Sequence, residues 1–110
     1  MPSRTSAALA LALCFAAIGV AAAEDHAVTL AVEEAGFAPA EIEVPSGARV
    51  RLEVTNRTAA AIEFESFELN RERVVQPGQT AAVYVSGLEP GRYEFFDDFH
   101  QQRRGALLVR

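Results

Sequence analysis

The chain has 110 residues, a formal net charge of −5, no lysine and a single cysteine, Cys14. That length holds one domain and no more. The acidic balance excludes nucleic acid and an anionic membrane as partners, because both repel such a surface, and leaves cations as its natural counterpart.

Arg4 precedes an apolar run from Ala7 to Ala23 that ends on the small residues Ala21 and Ala23. A positive start, a short apolar stretch and an A-x-A ending predict a secretory signal peptide over residues 1–23. The run is short for a spanning helix and no positive flank stops it. Cleavage would leave Glu24 as the first residue of a domain over 24–110 and place the protein in the periplasm. Leu11-Ala12-Leu13-Cys14 is a poor lipobox, since Leu13 is large and apolar residues continue beyond Cys14. Without a cysteine after residue 23 no disulfide can form, so stability must rest on an efficient apolar core or a bound metal.

From residue 27 onward the hydrophobic period is two. Val28, Leu30 and Val32 alternate with Thr29 and Ala31, and Ile42 and Val44 with Glu41 and Glu43. Val50, Leu52 and Val54 alternate with Arg51, Glu53 and Thr55. Ile62 and Phe64 alternate with Glu63 and Glu65, and Val83 and Val85 with Ala82 and Tyr84. Such segments put one face in a core and the other toward water or a site. Turn residues at Pro45-Ser46-Gly47, Asn56-Arg57-Thr58, Pro77-Gly78 and Pro90-Gly91 separate them. The pattern predicts an all-β sandwich of seven or eight strands. Ser66 to Val75 is the least regular stretch and reads as a helical turn or a long loop.

No phosphate loop, nucleophile elbow or catalytic cysteine is present, and only His26 and His100 could serve a serine as base. Neither histidine has a catalytic setting, so hydrolase chemistry and small organic substrates are set aside. Chemistry concentrates instead in two segments. Glu63 and Glu65 share one strand face, and Asp97, Asp98 and His100 follow the aromatic stretch Tyr93 to Phe96. Should the segments meet, like charges would need a cation to hold them together. Carboxylate oxygens with one imidazole suit iron, manganese or copper(II) rather than copper(I). The same residues also describe simpler things: the wet face of a strand, a turn capped by Asp97-Asp98, and a solvent-exposed histidine. Glu72, between Arg71 and Arg73, reads as a surface ion-pair partner. A chain starting Glu24-Asp25-His26 would also carry histidine third, where amine, amides and imidazole can wrap copper(II) or nickel(II).

Phe37-x-Pro39, Ile42-x-Val44-Pro45-x-Gly47, Asn56, Pro77-Gly78, Leu88-x-Pro90-Gly91-x-Tyr93-x-Phe95 and Gly105 together resemble the cupredoxin-like family of exported proteins. That resemblance implies a Greek-key β-sandwich of cupredoxin type. The strings Glu63-Phe64-Glu65-Ser66, Leu69 to Val74 and Phe95 to His100 look like one branch, the small periplasmic cupredoxin-like components of ferrous-iron uptake, related to the first domain of EfeO-type proteins. Where electron-transfer cupredoxins carry their first histidine ligand, Glu63 stands here. Where they carry a Cys-x-x-His loop, this chain has Asp97-x-x-His100, and Met1 is its only methionine. A blue-copper centre needs that thiolate, so the resemblance implies a site of similar position with harder ligands: Glu63, Glu65, Asp98 and His100, with Asp97 the alternative acid.

The function so implied is a periplasmic metal-binding protein assisting iron uptake. Its cofactor would be a copper or iron ion. It would work beside a periplasmic iron-uptake protein or an inner-membrane permease, with ferrous-iron oxidation as an accessory role rather than an enzyme activity of its own. Two other readings stand beside it: a metal-free sandwich that docks a periplasmic partner, and a copper(II)-handling protein.

Overall fold

The computed structural model describes residues 25–110, together with Ser3, Ala10, Leu11, Ala12 and Cys14. The expected junction after Ala23 and most of the signal segment lie outside these residues.

Alternating burial turns the described residues into nine strands. They are β1 (His26–Glu33), β2 (Gly36–Ala38), β3 (Glu41–Val44), β4 (Arg49–Asn56), β5 (Ile62–Ser66), β6 (Arg71–Val75), β7 (Thr80–Ser86), β8 (Gly91–Asp97) and β9 (His100–Val109). In β4 every second residue, from Val50 through Leu52 and Val54 to Asn56, is buried. One sheet has the order β2-β1-β4-β7 and the other β3-β9-β8-β5-β6. Two pairings, β1 with β4 and β3 with β9, are parallel; the rest are antiparallel. The all-β Greek-key sandwich is thus as expected, with nine strands rather than seven or eight.

The irregular reading of Ser66 to Val75 is corrected. Only Phe67 to Asn70 form a turn, with Asn70 at φ 52°, and β6 follows at the sheet edge. Four of its five residues are exposed, so an edge strand wetted on both faces shows no alternation to read.

Between the sheets Phe95 packs against Phe37 at 4.9 Å and Phe64 at 5.2 Å between ring centroids. Such aromatic pairs contribute about 0.5–1.5 kcal/mol beyond their buried area. Gly105 lies opposite Phe95 in the β8–β9 ladder, and a Cβ there would stand 2.5 Å from the ring and 2.6 Å from the Ala40 carbonyl. At one end of the sandwich β1 begins opposite Val50 and β9 finishes opposite Val44, both beside the turn at Pro45–Ala48. The Asp97–His100 turn closes the other end, where the β8–β9 register shifts after Phe96.

Candidate metal centre

Strand β5 sets the geometry. Ile62, Phe64 and Ser66 point into the core, so Glu63 and Glu65 stand on the outer face. The tight return into β6 brings Glu72 directly opposite Glu65. Cross-strand neighbours share a face, and Glu63, Glu65 and Glu72 offer oxygen atoms within 4.8 Å of one another. Asp98 joins from the side: its N–H donates to the Glu63 carbonyl at 2.9 Å, and its carboxylate accepts from Gln101 Nε2 at 3.1 Å. A hydrogen bond with the Glu63 carboxyl, some desolvation, and the charges of Asp98, Glu63 and Glu72 push Glu65 from 4.5 up to about 7. A proton shared between crowded carboxylates is what a metal cation can displace.

Glu72 was expected to pair with its flanking arginines. Among the described residues it forms no such ion pair; Arg71 donates instead to the carbonyls of Tyr84 at 2.9 Å and Asn70 at 2.9 Å. The pairing of residues 65 and 72 was the missed signal, available only to a reading of 62–75 as a hairpin.

Asp97 and His100 do not enter this group. Asp97 faces inward and is fully buried. Its Oδ1 accepts the Glu63 N–H at 3.0 Å and the Phe99 N–H at 3.1 Å, and its Oδ2 accepts Arg103 Nη1 at 3.0 Å. Arg103, only 3% exposed, also donates Nη2 to Glu34 Oε2 at 2.9 Å. His100 is half exposed, with Nδ1 3.6 Å from Asp97 Oδ2. Of the amino-terminal triplet, Glu24 lies outside the described residues, Asp25 pairs with Arg49 at 3.2 Å, and His26 opens β1. The structure therefore has an outer group of carboxylates and, beneath it, an inner group already neutralised by a guanidinium.

Beside the outer group runs a groove. Phe67, 78% exposed, packs edge-on against Phe96, over which Arg104 lies at 5.2 Å; Glu68, Glu94 and Asp98 rim it. Phe96 shares the outer face because it pairs with Glu65.

A blue-copper centre does not fit these residues. Residues 25–110 contain neither cysteine nor methionine, and the Asp97 carboxylate already accepts from three donors.

Among solved structures of similar fold is the metal-binding domain of the Cu(I)-exporting P-type ATPase of Streptococcus pneumoniae D39, determined with Cu(I). It is 17% identical, with a TM-score of 0.67 over 76% of this chain and 84% of that one. Amicyanin from Paracoccus versutus is 20% identical, with a TM-score of 0.62 over 76% and 81%. At such identities the likeness is one of fold. An uncharacterised protein of Rickettsia prowazekii (strain Madrid E) is 34% identical over 82 residues, which are 74% of this chain and 66% of that protein. The model of the cupredoxin-like domain matches residues 5–109, and the chain belongs to that family.

Proposed function

We propose that this chain is an exported metal-binding protein of iron acquisition that takes a hard cation, iron or copper(II), on the outer face of its five-stranded sheet. The observation that carries the reading is the convergence of Glu63, Glu65 and Glu72 on one hairpin, with Asp98 beside them. Oxygen ligands of this kind favour harder, oxidised ions, which agrees with a role in receiving iron from ferrous-iron oxidation. Support for a metal comes also from the fold, shared with a domain determined with Cu(I); the periplasmic setting and the iron-uptake partner rest on the family resemblance of the sequence.

Calorimetric titration of the purified protein with iron(II) under argon and with copper(II), beside Glu63→Ala/Glu72→Ala, tests the assignment. One ion should bind per chain, with affinity falling at least tenfold in the variant. Equal binding by both proteins would remove the outer face from consideration. The exposed Phe67 and its groove favour a second reading, a docking surface for a periplasmic partner; absence of any metal binding would leave that reading in place.

A further inference from the structure

Asp97 is a carboxylate with no contact to solvent, bound by donors from β5, from the turn after β8 and from β9. A buried charge must be matched by a counter-charge with hydrogen bonds in place. The match is Arg103, whose planar fork spans Asp97 on one side and Glu34, from the β1–β2 turn, on the other. Its Nε also donates to the Glu34 carbonyl at 3.3 Å. His100 Nδ1, buried and without a hydrogen-bond partner, lies 3.6 Å from the oxygen that Arg103 holds. Two carboxylates, the buried Asp97 and the largely exposed Glu34, therefore flank a cation that belongs to the chain itself.

We propose that the Arg103 guanidinium is a resident cation that performs, at the closed end of the sandwich, the cross-linking a bound metal ion performs elsewhere. Asp97 and His100 are then withheld from metal, and the domain folds without one. Metal loading on the outer face then adds to the stability of a domain that is already folded, and is not required for folding. This inference stands whether or not the outer carboxylates bind anything.

Thermal melts in a Glu65→Gln/Glu72→Gln background, which disables the outer group, keep the two ideas separable. That parent should melt at the same temperature in EDTA and in excess zinc(II). Arg103→Met, similar in length but uncharged, should melt roughly 10 °C or more lower in EDTA. Asp97→Asn/Arg103→Met, with both charges gone, should regain at least half of that loss, because no buried charge is then left unmatched. Arg103→Lys keeps the charge and should fold and lose less than Arg103→Met. An Arg103→Met protein as stable as its parent, or a double variant no more stable than Arg103→Met, overturns the proposal. Should Arg103→Met fail to fold under any condition, Arg103→Lys decides: its failure too would show that shape rather than charge is what the site requires.

Discussion

Glu65 is where the chemistry of single residues becomes measurable. Its neighbours hold the proton on the carboxyl up to about 7, against 4.5 when unperturbed. The folded form therefore binds that proton more tightly than the unfolded chain, and between these two values this group makes the domain less stable as pH rises. Metal binding has the opposite slope, because the cation displaces the proton. Affinity should climb about tenfold per pH unit below about 7 and level off above it. Titrations from acid to mildly alkaline buffer check this; a flat profile would show that Glu65 releases no proton to the incoming ion. Glu65→Gln should flatten both slopes together. Nothing in the sequence announced the perturbation. Glu63 and Glu65 were legible as a pair at alternate positions, but Glu72 joins them only through the hairpin. Asp97 and Asp98 look alike in the chain, yet one is sealed beside Arg103 and the other stands at the surface.

At the scale of the elements, the β8–β9 hairpin holds the two groups in place. Gly105 lets Phe95 lie flat against β9, with no space for even one more carbon. Gly105→Ala should cost about 3 kcal/mol through overpacking, read from urea denaturation. Adding Phe95→Leu should recover part of that loss, the coupling that a double-mutant cycle isolates. Additive losses would mean that the ring is not the obstacle. Most strands could be read from period-two burial because one face of each meets the core. Strand β6 could not, as an edge strand wetted on both faces carries no period. The first half of β9 was hidden for a related reason: Gln101, Gln102, Arg103 and Arg104 are uniformly polar, although Arg103 turns into the core after the register shift. Pattern reading assumes that polar means outward, and a guanidinium paired with a buried carboxylate breaks that assumption.

The molecule as a whole is a disulfide-free sandwich over residues 25–110 held by one apolar core. An ion that binds only the native form stabilises it by mass action. At a concentration one hundred times its dissociation constant the gain is about 2.7 kcal/mol, or roughly 10–20 °C in melting temperature for a domain of this size. Scanning calorimetry with and without iron or copper(II) should show that rise in the native protein and lose it in Glu63→Ala/Glu72→Ala. The first strand begins at His26 and the last ends at Val109, both beside the Pro45–Ala48 turn. Glu63 and Asp98 lie toward the opposite end, roughly one strand length of 20–25 Å away. A tether fixed beside His26 or Val109 would therefore leave Glu63 and Asp98 unobstructed. The domain can be immobilised at one pole while the other stays open to solvent.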